Sequence, residues 1–69
     1  MVNQVTVTRK SAAEYVVTDE TGCYPRAQFF SRGEAERQAR AMAQDNAAHF
    51  AAPCYVIYCD PHNRIRTVI

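Results

Sequence analysis

The chain has 69 residues and 48% hydrophobic positions, and 11 of its 33 apolar residues are alanine, with no leucine and no tryptophan. A chain of this length forms one domain, residues 1–69, and buries only about 60% of the surface that its unfolded form exposes. Eight Lys and Arg against seven Asp and Glu give a net charge of +1, which does not indicate sequence-independent nucleic-acid binding. The composition argues against a self-contained enzyme with a deep pocket and favours an oligomer.

The first third of the chain predicts three strands. Alternating β-branched residues predict one strand over 2–9, and Tyr-Val-Val predicts a second over 14–18. The segment Asp19-Glu20-Thr21-Gly22 is typical of a type I turn and predicts a hairpin. The third strand, 23–30, contains Pro25, which has no amide hydrogen to donate, so we expect it at a sheet edge.

A helix is predicted from Arg32 to about Phe50. Ser31 and Glu34 form a capping box, in which the hydroxyl accepts from the Glu34 amide and the carboxylate reaches back. The helix places one stripe of residues towards the sheet: Ala35, Ala39, Met42, Asn46 and Phe50. Small residues at the start of the stripe allow close approach of helix and sheet, and Pro53 ends the run.

Two further strands follow the helix. Residues 54–60 are apolar on both faces, so we expect both faces to be covered, and Asp60-Pro61-His62-Asn63 predicts a turn. Residues 64–69 alternate and predict the last strand, with Arg64 and Arg66 on the same side. The order β-β-β-α-β-β predicts an α+β fold: one antiparallel sheet, strand order 3-2-1-5-4, with a single helix packed on one face.

One helix covers only one face of such a sheet. Strand alternation assigns to the other face either their neighbours along the strands or some members of the following group: Thr6, Thr8, Tyr15, Val17, Tyr55 and Ile57. Because exposed apolar patches usually mark contact surfaces, we expect a protein partner or a second copy of the chain to cover it, the latter as a homodimer.

Cysteine and histidine chemistry is sparse. Cys23, Cys54 and Cys59 are an odd set that closes no disulfide framework, which favours a reducing, cytoplasmic setting. Cys54 and Cys59 are five residues apart on one predicted strand and therefore point to opposite faces. Cys59 and His62 are the sole local pair for metal or nucleophilic chemistry, and they lack a third group. We expect no catalytic residue, no metal, no cofactor and, without a long apolar run, no membrane contact.

Tyrosine and arginine are enriched at protein-interface hot spots. The candidate partner-binding residues are accordingly Tyr15, Tyr55, Arg37, Arg40, Arg64 and Arg66. The alternative is a nucleic-acid-binding module in which sheet tyrosines stack on single-stranded bases beside these arginines. Acidic residues are interleaved with the arginines along the chain, so protein is the favoured partner.

The stretch Phe29-Phe30-Ser31-Arg32-Gly33-Glu34-Ala35, with Tyr55-Val56-Ile57 downstream, resembles small bacterial and phage domains of unknown function. The layout is similar to that of several phage anti-CRISPR proteins, and the resemblance covers most of the chain. It implies a non-enzymatic inhibitor that binds a host defence complex, for example at the DNA-binding surface of a large nucleoprotein complex. Unlike many anti-CRISPR proteins, this chain is not acidic, and it lacks the strand tryptophan of the domains of unknown function.

Overall fold

The computed structural model describes residues 3–69. The elements are β1 (Gln4–Ser11), β2 (Glu14–Asp19), β3 (Ala27–Phe29), α1 (Arg32–Phe50), β4 (Tyr55–Asp60) and β5 (Ile65–Val68). The α+β class, the order of elements and the single helix are confirmed, while Val2 of the predicted first strand lies outside the described residues. The third strand is shorter than predicted and begins after Pro25, because the chain between Asp19 and Ala27 forms a loop.

The sheet is mixed and its order is β3-β2-β1-β4-β5. The predicted all-antiparallel order 3-2-1-5-4 is therefore wrong: β4 lies beside β1 and runs parallel to it, and β5 is the outer strand. Helix α1, whose 19 residues span about 28 Å, returns the chain to the end of the sheet where β3 begins, so β4 runs in the direction of β3 and β1. The place beside β1, under the helix, goes to β4 because it is the more apolar strand: its Val56 and Tyr58 are buried in the core, whereas every residue of β5 is exposed.

Helix α1 begins and ends as its sequence predicts. The Ser31 hydroxyl accepts a hydrogen bond from the Glu34 amide at 3.5 Å, and Ala51 ends the helix in the left-handed conformation with φ 51°. The buried stripe is as predicted with two differences: Ala43 in its middle is also buried, and Phe50 at its end is only half-buried. Alanines at the start of the stripe bring the helix axis close to the sheet.

The core lies between α1 and one face of the sheet. Its members are Val5, Val7, Val17, Ala35, Ala39, Met42, Ala43, Val56 and Tyr58. The Arg32 guanidinium lies 3.8 Å from the centre of the Tyr58 ring and covers the core where Tyr58 lies. Within residues 3–69, no helix combines the length and the apolar character that crossing a membrane requires.

Candidate functional site

Asp19, the last residue of β2, fixes the loop that follows. One carboxylate oxygen, Oδ1, accepts hydrogen bonds from the Thr21 amide at 3.0 Å, the Thr21 hydroxyl at 2.7 Å and the Asn46 side-chain amide at 3.0 Å. The other oxygen accepts from the Tyr24 amide at 3.1 Å. Burial raises the pKa of Asp19, but these hydrogen bonds together hold it below its ordinary value. Asp19 therefore ties the β2–β3 loop to the middle of α1 through Asn46.

Asp60, the last residue of β4, fixes the β4–β5 turn in the same way. Its Oδ1 accepts from the backbone amides of His62 and Asn63, and its Oδ2 accepts from the Asn63 side chain at 2.8 Å and from Arg9 at 3.1 Å. The Asn63 side-chain hydrogen bond, opposed by burial and assisted by Arg9, lowers the pKa of Asp60. The turn ends at Arg64 with φ 55°, which sets the direction in which β5 leaves.

The β1–β2 part of the sheet is partly enclosed on both faces. Helix α1 covers one face, and on the other a polar network lies over the first half of β1, while Thr18 beside it is exposed. In that network the Thr6 hydroxyl donates to the Glu20 carboxylate at 2.9 Å, and the Gln4 side-chain amide donates to both. Thr6 is consequently only 8% exposed, although it points away from the helix. Val16 on the same face is 3% exposed and lies between its cross-strand partners Thr8 and Gln28.

The opposite flank of the sheet is open. Among the described residues, α1 packs against β1, β2, β3 and β4 but not against β5. Every residue of β5 is exposed, so apolar side chains reach solvent on both faces, with Ile65 at 45% and Val68 at 62%. Tyr55, on the helix-free face of β4, is 57% exposed. We call this surface the β5 flank; it consists of Tyr55, Ile65, Arg66, Thr67 and Val68.

A groove adjoins the β5 flank on the helix side of the sheet. It has a volume of about 430 Å³ and lies between the second half of α1 and the start of β4. Its apolar lining comes from Ala43, Ala47, Val56 and Ile69, and Arg40 stands at its rim. The groove extends the apolar surface inward from β5.

Two of the six predicted partner-binding residues lie in the β5 flank, namely Tyr55 and Arg66. Tyr15 is half-buried and packs against the core on the helix side, so the prediction that it lies on the open face is wrong, and the same holds for buried Val17. Val17 pairs with core residue Val7 and therefore points towards the helix. Because side chains alternate along a strand, Tyr15, two residues away, points to the same side. Arg64 lies in the turn rather than on β5, so it does not share one side of a strand with Arg66.

The two helix arginines are not part of the β5 flank. Arg37 and Arg40 are exposed on α1, and the Arg40 guanidinium lies 3.9 Å from the Glu36 carboxylate. The prediction that both faces of β4 are covered is right for Val56 and Ile57 but wrong for Tyr55.

Two residues of the flank, Ile65 and Val68, were missed as binding candidates by sequence reasoning. The sequence does contain a signal for them, because Ile65 and Val68 fall on opposite sides of the last strand and make both of its faces partly apolar. The signal becomes a binding argument only when this strand is known to be the outer one, with its second edge unpaired.

The cysteines do not form a site. Cys54 packs against the core, where burial raises the pKa of its thiol, and Cys59 lies on the opposite face beside Thr8, as predicted. The His62 ring nitrogen Nε2 lies 3.0 Å from the Lys10 carbonyl oxygen. Within residues 3–69, no three His, Cys, Asp or Glu side chains are grouped so that they can hold a metal ion.

Residues 3–69 define a small α+β domain with one sheet face under the helix and two outer strands, β3 and β5, of which β5 carries the exposed flank. Comparison with family models, with curated proteins and with solved structures finds no match to the chain. The functional proposal therefore depends on the surface of the chain itself.

Proposed function

We propose that the chain is a non-enzymatic binding domain that contacts another protein through the helix-free sheet face of the β5 flank. The observation that carries the proposal is the exposure of two large apolar side chains on that face, Tyr55 at 57% and Val68 at 62%. Exposed apolar surface without a covering element is typical of contact sites, and tyrosine is among the side chains that dominate binding energy.

Charge favours protein over nucleic acid as the partner. A sheet that binds single-stranded nucleic acid combines stacking aromatics with a basic groove along the backbone. Here Gln4, which pairs with Tyr55 across the β1–β4 ladder, is hydrogen-bonded to the Glu20 carboxylate, so a negative charge lies close to the tyrosine.

The carboxylates and the thiol whose pKa values are shifted are poorly suited to catalysis. Asp19 and Asp60 each accept four hydrogen bonds and have lowered pKa values, which makes them poor proton donors near neutral pH. Burial raises the pKa of the Cys54 thiol and so disfavours the nucleophilic thiolate. These observations support a binding role rather than a catalytic one. Inhibition of a nucleoprotein defence complex, which the sequence resemblance implies, is the specific role to test first.

The test is a quantitative capture experiment with three immobilised chains. Wild type is compared with a Tyr55→Ser/Val68→Ser double variant and with Phe30→Ser, which removes a 73% exposed aromatic beside the other sheet edge. We expect wild type and Phe30→Ser to retain the same host proteins, and the double variant to retain at least about tenfold less. Each retained protein is then purified, and its dissociation constant is measured against all three chains.

A parallel titration uses a fluorescent oligothymidine of about 20 nucleotides, a length suited to single-strand binding sites. If wild type retains no protein at micromolar concentration but binds the oligonucleotide with a steep salt dependence, the nucleic-acid alternative replaces the proposal. Equal capture by wild type and the double variant would exclude this face as the contact surface.

A further inference from the structure

We propose that two copies of this chain pair through β5 in antiparallel orientation, with Thr67 on the two-fold axis. The occupant of the outer sheet edge is thus a second copy of the chain. The inference concerns the edge of β5, whereas the proposed function concerns the helix-free face, and it goes beyond that function.

The backbone of β5 determines which groups are free to pair. The Ile69 amide donates to the Val56 carbonyl oxygen at 2.9 Å, and the register continues through Val68 opposite Ile57. Because hydrogen-bonded and non-hydrogen-bonded pairs alternate along an antiparallel ladder, residues 65, 67 and 69 direct their amide and carbonyl groups towards β4. Arg66 and Val68 therefore direct theirs to the outer edge.

One register uses all of these outward groups. If Arg66 of each copy lies opposite Val68 of the other, both residues exchange both of their bonds, which gives four hydrogen bonds across the interface. A register with Arg66 opposite itself forms only two within β5 and places like charges directly opposite each other. It also cannot continue through Arg64, whose φ of 55° is not that of a strand. A register with Val68 opposite itself likewise forms only two hydrogen bonds within β5.

The same register packs side chains of the two copies beside each other on both faces of the sheet. On the helix side it places Ile65, 45% exposed, opposite Ile69 of the second copy, at the mouth of the groove described above. On the helix-free side it places the aliphatic stem of Arg66 along Val68 of the second copy, with the two guanidinium groups diagonal to each other. Hydrogen bonding, apolar contact and charge separation thus select one symmetric arrangement, and this self-complementarity identifies a second copy as the occupant.

The pairing produces a continuous ten-stranded sheet. The two-fold axis is perpendicular to the sheet, so both helices lie on one side and both helix-free faces lie on the other. The two Tyr55 side chains then flank one surface of doubled width.

The first test measures mass. Sedimentation velocity of the wild-type chain at about 100 μM is expected to give twice the monomer mass of 7.8 kDa. Val68→Pro removes an amide that points outward and leaves the ladder to β4 intact, so we expect dimer dissociation to become at least about tenfold easier. Circular dichroism checks that this variant is folded. If it is not folded, Thr67→Lys replaces it, because two ammonium groups then face each other at the axis. Tyr55→Ser is the matched control and retains the dimer.

The second test measures the register. The background is Cys23→Ser/Cys59→Ser, because Cys59 lies directly opposite residue 66 on β4 and would form a disulfide with a cysteine there within one chain. In this background Thr67→Cys places two thiols in a non-hydrogen-bonded pair, where the Cα atoms are about 4.5 Å apart and within disulfide reach. Arg66→Cys is the matched control, since its counterpart is Val68. Under mild oxidation we expect the disulfide between two copies of residue 67, identified by mass spectrometry, to form at least about tenfold faster than that at 66. A monomeric wild type, an unaffected mass in both folded edge variants or equal crosslinking at 66 and 67 would each overturn the proposal.

Discussion

The two flanks of the sheet differ in how completely they are closed. Around β1 and β2, helix α1 covers one face and a network of Gln4, Thr6 and Glu20 covers part of the other. Around β5 nothing within residues 3–69 covers either face, and the outer edge pairs with none of their strands. The difference shows that the core and the exposed apolar surface lie in different parts of this small domain: the β1–β2 part contributes core residues, and the β5 flank contributes accessible surface.

Each flank is nevertheless held by an aspartate at the end of a strand. Asp19 reaches the helix through Asn46, which is 1% exposed, whereas Asp60 bonds its own turn and one distant residue, Arg9. The consequence is that Asp19 connects two layers of the fold, while Asp60 determines how β5 leaves β4. Breaking these contacts one by one measures how far the two flanks are independent.

The largest effect is expected from charge placed in the core. Val7→Asp buries an unpaired carboxylate at a position that is 0% exposed, so we expect loss of the cooperative thermal transition seen by circular dichroism. The matched Val68→Asp, at a 62% exposed position, is expected to keep the transition. Unfolding of both variants would mean that the β5 flank is part of the stabilising core.

The next effect concerns Asp19 and Asp60. Asp19→Ala leaves the buried Asn46 amide without its acceptor, which costs about 2 kcal/mol of the free energy of unfolding in urea titrations. Asp60→Ala is expected to cost less, since the groups it releases lie in an exposed turn. If Asp60→Ala lowered the free energy of unfolding more than Asp19→Ala, the conclusion that Asp19 is the residue that connects the helix to the sheet would be wrong.

Acid pH tests the same two carboxylates together. Because both folded-state pKa values lie below the ordinary 3.8, the unfolded chain takes up protons first. Their stabilisation is therefore complete above the unfolded pKa and is lost as pH falls through it towards the folded values. We expect the urea midpoint to fall between pH 5 and pH 3, and to fall less in Asp19→Asn, although that variant starts from a lower midpoint. An identical slope in wild type and variant would contradict the lowered pKa of Asp19.

The smallest effect is expected at the surface ion pair of α1. Arg40→Ala removes a contact of 3.9 Å to Glu36 with an arginine side chain that is 55% exposed, so the change in stability stays below about 0.5 kcal/mol. Arg9→Ala, which removes the 3.1 Å contact with Asp60, is expected to destabilise more in the same urea assay. Equal effects would show that the Arg9–Asp60 pair contributes nothing beyond an exposed pair.

The sequence by itself determined the local elements. The helix limits follow from Ser31, Glu34 and Pro53, and the turn after Asp19 follows from Gly22, whose φ of 80° suits a residue without a side chain. These signals act over a few residues, through short-range hydrogen bonds and side-chain periodicity, so they can be recognised in a short stretch of sequence. The separation of Cys54 and Cys59 to opposite sides has the same local origin.

Only the tertiary structure decided where the later strands lie and which tyrosine is exposed. Helix α1 returned the chain to the end of the sheet where β3 begins. Strand β4, whose Val56 and Tyr58 are buried in the core, then took the place beside β1, and β5 became the outer strand. The same packing turned Tyr15 towards the core and left Tyr55 exposed. The physical reason is that strand order depends on contacts between residues about 50 positions apart, such as Arg9 and Asp60, and these contacts are absent from any local pattern.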